Sequence, residues 1–334
     1  MHAETPAPKA AEGSPPPRGR RPWAPHLLAA GAIACLFPAV SPALALIGGI
    51  ALALLLGNEL GTGASRAAQL LLKVSVVGLG AGMNLGVVWR VGVRGAGYTA
   101  ISIAASLALG LWLSRRARLQ RDVGLLISVG TAICGGSAIA AVAGVIRPRQ
   151  HEVSVAFTTV FLLNAVALVA FPPLGHLWGF TPRQFGLWAA LAIHDTSSVV
   201  GAALSYDPAS VPVATTVKLA RALWIVPVAM AVGRWRSRSE PASNRPLRLP
   251  VPLFILGFIA AAAVFTYAAP LAPWRGAVSR EAQRLFAVTL FLIGSGFSRA
   301  ALATTGLRPL GVGVALWFCA ASGTAVAIGQ HWIR

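Results

Sequence analysis

Few residues of this 334-residue chain could do chemistry away from water, and they gather in three apolar stretches. One stretch holds His194-Asp195-Thr196-Ser197-Ser198 at its middle. A charge at mid-bilayer costs at least about 2.5–3.5 kcal/mol on insertion scales, so Asp195 needs a partner or a use. The next stretch holds Lys218 and Arg221, three apart and therefore on one helix face. Counting inward from Leu204 and Pro212 puts Asp195 and Arg221 both about 13 Å below one surface. Two consecutive antiparallel helices thus carry an acid and a base at one depth. Such a pair either pins the two helices together or changes partner when a substrate or coupling ion arrives. Arg221 keeps its proton and suits an anion, whereas Asp195 and His194 can titrate.

The third stretch reads Gly130-Thr131-Ala-Ile-Cys134-Gly135-Gly136-Ser137-Ala-Ile. Each glycine weakens a helix by about 1 kcal/mol relative to alanine, and a broken backbone in lipid is tolerated only against protein or a cavity. A break here would aim the N–H groups of the following half-helix at the membrane centre, where they attract an anion. Close helix packing on small residues explains the same glycines. Thr131 and Ser137 beside them favour the site. Gly78, Gly82 and Gly86 are spaced by four and make a flat face for another helix. No strand surrounds them, so they are not a dinucleotide loop.

The elements that must position these residues are membrane helices. The chain is 56% hydrophobic and only 11% charged, against about a quarter charged in soluble domains. A spanning helix takes about 20 apolar residues. That length places candidates at 23–40, 42–57, 67–88, 95–113, 122–146, 152–173, 183–204, 212–233, 250–269, 282–299 and 309–330. The expected fold is an all-α polytopic bundle of about eleven helices. Residues 1–22, rich in Pro and Ala, cannot bury enough surface to fold and are expected to be a disordered tail, leaving 23–334 as one membrane domain.

The net charge of +19 comes from arginines clustered at span borders, which excludes a nucleic-acid stripe. Arg115, Arg116, Arg118, Arg121, Arg234, Arg236, Arg238, Arg245 and Arg248 fall on one side under this count, and Arg90, Arg94, Arg147, Arg149, Arg275 and Arg280 on the other. The positive-inside rule then makes the N-terminus cytoplasmic. No phosphate-binding G-x-x-x-x-G-K-[ST] loop is present, so the chain holds no ATP-driven pump. Cys35, Cys134 and Cys319 have no metal-ligand spacing.

The run around Cys134-Gly135-Gly136, then His194-Asp195, then Lys218-Leu-Ala-Arg221 resembles the YeiH-type family of bacterial membrane proteins, which carries a sulfate-exporter label. The resemblance runs from about residue 42 to the C-terminus. Some relatives have Glu where Asp195 stands. It implies an inner-membrane protein built from inverted five-helix repeats with broken, crossing helices. In that frame the fifth and tenth spans would cross, and the seventh, parallel to the fifth, would not.

Two secondary-transport readings follow, and sequence does not separate either from a channel. In the first, Thr131, Cys134, Gly135, Gly136, Ser137, Lys218 and Arg221 bind sulfate or a related small inorganic or organic anion. His194, Asp195 and Ser198 then handle a coupling ion. In the second, Asp195 exchanges a proton for Na⁺ with Arg221 as its resting partner. An intramembrane enzyme would need His194, Asp195 and Ser197 or Ser198 in a triad, which adjacent residues on one helix do not form. Neither an enzymatic activity nor a cofactor is expected, and the expected partners are the anion and the lipid bilayer. A homo-oligomer is left open.

Overall fold

The computed structural model describes residues 23–37, 39–56, 61–237, 253–296, 305–330 and 332–333, so the expected tail lies outside the described residues. Within them the chain is helical and contains no strand. The helices are α1 (Ala24–Ala34), α2 (Pro42–Leu56), α3 (Gly61–Ala81), α4 (Leu85–Arg116), α5 (Arg121–Ala132), α6 (Gly136–Ile146) and α7 (Gln150–Leu177). They continue with α8 (Pro182–Ala192), α9 (Thr196–Tyr206), α10 (Val211–Ala222), α11 (Ile225–Ser237), α12 (Leu253–Tyr267), α13 (Arg275–Ser295) and α14 (Leu307–Gly329). The stretches Gly97–Arg116, Gln150–Leu177, Pro208–Arg236 and Leu307–Gly329 are each long and apolar enough to cross a bilayer. The expected all-α membrane bundle is what the chain forms.

The fifth and seventh expected spans do not cross. Each breaks at its centre and turns back, giving two helical hairpins. In the second, α8–α9, the Phe185 ring at the start stacks on Tyr206 at the end, with centroids 3.8 Å apart. The Tyr206 hydroxyl also donates to the Phe180 carbonyl. Both ends of this hairpin therefore lie beside Gly175, near the end of α7. In the first, α5–α6, Ile139 packs directly on Gly130, although nine residues of continuous helix would separate them by about 13 Å. Arg236 at the end of α11 bonds Asp122 in the first turn of α5 at 3.1 Å, while α11 also packs along α6. The first hairpin thus enters from the end where α7 begins, and the second from the end where α7 finishes.

Two expectations change as a result. The fifth and seventh spans are the ones that meet, because turning back lets them approach from opposite ends. The tenth span, α13, runs unbroken from Arg275 to Ser295, bent by 112° from α12. Arg147 and Arg149, which follow α6, move to the same end as Arg115–Arg121 and Arg234–Arg236, which sharpens the charge asymmetry.

Helices α2, α3, α12 and α13 form a separate panel beside this core. Its contacts are glycine-to-backbone: a Cβ on Gly49 would lie 2.1 Å from the Phe291 carbonyl oxygen, and one on Gly294 would lie 2.4 Å from that of Leu46. Gly78 of α3 and Gly82 just past its end press on Ala282 and Ser279 of α13, as their spacing predicts. Gly86 does not join them, because the chain leaves the helix before Asn84, whose side chain caps α4.

Candidate functional site

The tips of the two hairpins meet at the level of the middle of α7. Ile133-Cys134-Gly135 make the first tip and Ile193-His194-Asp195 the second. Gly135 has φ +63°, a left-handed conformation that glycine adopts without strain. A Cβ there would lie 3.4 Å from the Asp195 Cβ, so the tips are in near contact. Ile193 and Asp195 are extended, which stops α8 and lets α9 start anew.

Each tip exposes the negative C-terminal end of one short helix and the positive N-terminal end of the next. The protein fills both kinds of end with its own side chains. Arg221 donates from Nε to the Ala132 carbonyl at 2.7 Å and from Nη1 to the Leu191 carbonyl at 2.6 Å. One guanidinium thereby ties the end of α5 to the end of α8. Lys218 donates to the carbonyls of Ile193, at 2.7 Å, and Ala190, at 3.5 Å. Asp195 caps α9, where its carboxylate accepts from the Ser197 amide at 2.9 Å and from the Ser197 hydroxyl.

The expected Asp195–Arg221 ion pair is not formed. Among the described residues the ion pairs are Arg236–Asp122 and Arg284–Glu281. The depth argument holds, since α9 and α10 do run antiparallel from Leu204 and Pro212 toward the tips. What it missed is that a break supplies carbonyl acceptors at the same depth, and these take the cations instead. Ser197 rather than Ser198 contacts Asp195, because the cap reaches the amide two residues on. Ser198 is buried in the first turn of α9.

Cys134 is buried in the first tip. Gly136 opens α6 against Phe157 and Phe161, while Ser137 in the next position is exposed. Thr131 is buried in the last turn of α5, and its hydroxyl has no hydrogen-bond partner.

Asn164, in the middle of α7, is a site residue that the motifs did not single out. Its Oδ1 accepts the backbone N–H groups of His194 at 3.0 Å and Asp195 at 3.2 Å. It replaces the helical acceptors lost at the break and fixes the amide orientation, since only oxygen can accept two N–H groups. The signal was available: a lone amide inside the apolar run Phe161-Leu-Leu-Asn164-Ala-Val. Polar residues at that depth are costly and mark functional paths.

Several buried polar atoms of the tips, of α7 and of α10 lack a protein partner: Thr131 Oγ1, Asn164 Nδ2, both ring nitrogens of His194, Thr215 Oγ1, Thr216 Oγ1 and Arg221 Nη2. Two of these, Asn164 Nδ2 and Arg221 Nη2, can only donate, and the hydroxyls can donate as well. The junction is therefore rich in hydrogen-bond donors.

Comparison with known proteins agrees with the architecture. Residues 27–313 match the family model described as "Conserved hypothetical protein 698". A UPF0324 membrane protein of Bdellovibrio bacteriovorus is 52% identical over 303 residues, covering 91% of this chain and 93% of the relative. The chain belongs to the UPF0324 family of membrane proteins. Another member, from Geobacter sulfurreducens, is 42% identical over 298 residues, covering 89% of this chain and 94% of its own. A third, from Porphyromonas gingivalis, is 44% identical over 292 residues, covering 86% of this chain and 87% of its own. This is the family whose YeiH-type members the motifs resemble. No solved structure matches the chain.

Proposed function

We propose that this protein is a secondary transporter of the bacterial inner membrane that exports a small oxyanion, sulfate or a close relative, through the junction of the hairpin tips. The observation that carries this reading is the unpartnered guanidinium nitrogen of Arg221, buried to 1% exposure where its other nitrogens bind both tips, together with the unpartnered amide nitrogen of Asn164, whose oxygen binds the second tip. A buried donor left without an acceptor costs about 1–3 kcal/mol, and more when charged. An oxyanion between the tips supplies those acceptors. The hydroxyls of Thr131, Thr215 and Thr216 and a ring N–H of His194 would complete its shell.

Export suits the energetics. A membrane potential is worth about 2.3 kcal/mol per charge per 100 mV, so a dianion is driven outward by roughly twice that without a coupling ion. The arginine-rich end, where α5 and α6 have their bases, is then the cytoplasmic one. In this arrangement the N-terminus remains cytoplasmic. A cation/proton exchanger is the second reading. It is favoured by one feature: Asp195 is 9% exposed, whereas Lys218 and Arg221 are at 0% and 1%.

Proteoliposomes loaded with labelled sulfate and given an imposed potential separate the two. Anion export predicts sulfate efflux that follows the potential and stops in Arg221→Gln. If sulfate, sulfite and sulfonates all stay in place while a pH gradient drives Na⁺, the exchanger reading replaces it.

A further inference from the structure

The end of the molecule opposite the aromatic base of the second hairpin carries a second concentration of charge that the transport site does not use. Arg115, Arg116 and Arg118 lie at the α4–α5 turn, Arg121 opens α5, and Arg234 and Arg236 end α11. The two segments are more than a hundred residues apart. They are brought together by the 3.1 Å Arg236–Asp122 ion pair and by Arg121, whose guanidinium sits 4.2 Å from the centre of the Trp235 ring. Asp122 is the only acid in residues 115–122 and 234–237, and Arg236 occupies it. Arg115, Arg116, Arg118 and Arg234 are exposed. Trp112 and Trp235 are also exposed, at 55% and 41%, and Arg116 lies 5.9 Å over Trp112. Each of these two Trp rings thus has an arginine cation over it. That layering fits a ligand with an anionic head and an apolar body.

We infer that the α4–α5 turn and the end of α11 form a binding site for an anionic phospholipid headgroup at the base of the first hairpin. The phosphodiester takes the exposed guanidinium groups of Arg115, Arg118 and Arg234, and the acyl chains lie along Trp112 and Trp235. The site is independent of what is transported. A bound lipid touches the turn that launches α5, and so bears on the hairpin whose tip holds Gly135.

The test is binding to nanodiscs and detergent micelles spiked with phosphatidylglycerol or phosphatidylcholine, read by native mass spectrometry. Phosphatidylglycerol is expected to be retained over phosphatidylcholine. Replacing Arg115, Arg118 and Arg234 together by Gln is expected to weaken its retention by on the order of 100-fold, given about 1 kcal/mol per basic residue at the surface. Replacing Arg275 and Arg280, elsewhere on the chain, should leave it unchanged. Trp112→Ala, which keeps every charge, is expected to weaken retention of the lipid but not of glycerol phosphate. Equal retention of both lipids, or an unchanged preference in the triple variant, overturns the site. So does displacement of the lipid by millimolar inorganic phosphate, which would make it a free-phosphate site. Size-exclusion profiles confirm that each variant is folded before binding is read.

Discussion

The two hairpins share a plan, yet they are held very differently. At its tip the second hairpin accepts hydrogen bonds from Lys218 and Arg221 and donates two backbone N–H groups to Asn164, all on neighbouring helices. Its base sits in an aromatic cluster in which Phe171 stacks on Trp188 at 4.0 Å and His176 on Tyr206 at 4.1 Å. Trp188 also donates to the Ala321 carbonyl of α14 at 2.9 Å. Among the described residues, the first hairpin's tip takes one side-chain hydrogen bond from outside, from Arg221 to Ala132. Otherwise it rests on close apolar contacts of Gly130, Gly135 and Gly136 with Ile139, Val160, Phe157 and Phe161. Hydrogen bonds and stacked rings fix an orientation, whereas glycine–alkyl contacts allow sliding. The second hairpin is therefore expected to be the fixed wall of the junction and the first the softer one at its tip, although the base of the first is held by Arg236–Asp122 and Arg121–Trp235.

Arg221 belongs to both hairpins, so its loss tests the comparison most severely. Arg221→Ala leaves the Ala132 and Leu191 carbonyls unpaired and is expected to cost about 3–5 kcal/mol, read as a fall in the thermal midpoint in detergent. Arg221→Lys should recover only part, because one ammonium does not reach both tips in fork geometry. Full recovery by lysine would show that the bridge is not what matters.

Asn164→Leu strips the acceptor from the second tip only. It is expected to cost about 2–3 kcal/mol by leaving two buried amides unpaired, while Asn164→Asp retains the acceptor oxygens. Hydrogen exchange should then show faster amide exchange in 193–196 with 133–136 unchanged; equal acceleration in both would dissolve the distinction between the hairpins. In the unaltered protein, amides of 133–139 should exchange faster than those of 193–199, and the reverse order would refute the assignment of the softer element.

Gly135→Ala forces a side chain into a left-handed conformation against Asp195. A loss of about 1–2 kcal/mol is expected, with the thermal midpoint as readout. Tyr206→Phe removes the bond to the Phe180 carbonyl and should cost the least, about 0.5–1.5 kcal/mol. If it cost more than Asn164→Leu, the second hairpin would be held at its base rather than its tip.

Much of this was legible in the residues. The apolar runs give an all-α membrane protein because lipid leaves backbone polar groups no partner outside a helix. Gly135-Gly136 marked one break, His194-Asp195 were marked as costly polar groups inside a span, and the depth count put Arg221 level with Asp195. Turning back was not legible. A broken span and a helical hairpin have the same composition and length, and only packing decides whether the second half continues or returns. Here Ile139 on Gly130 and Tyr206 on Phe185 decide for return. Asn164 was visible as a lone amide but not as the splint of a break thirty residues away.

What the sequence determined by itself is therefore the solvent, the helices and the identity of the costly polar groups, since burial in lipid prices each residue locally. The tertiary structure alone decided whom those groups serve. Arg221 was free to choose between a carboxylate and two carbonyls, and the hairpin ends bring the carbonyls within hydrogen-bond distance while Asp195 turns to cap its own helix. Partner choice depends on where two distant helix ends stop, and that is a property of packing.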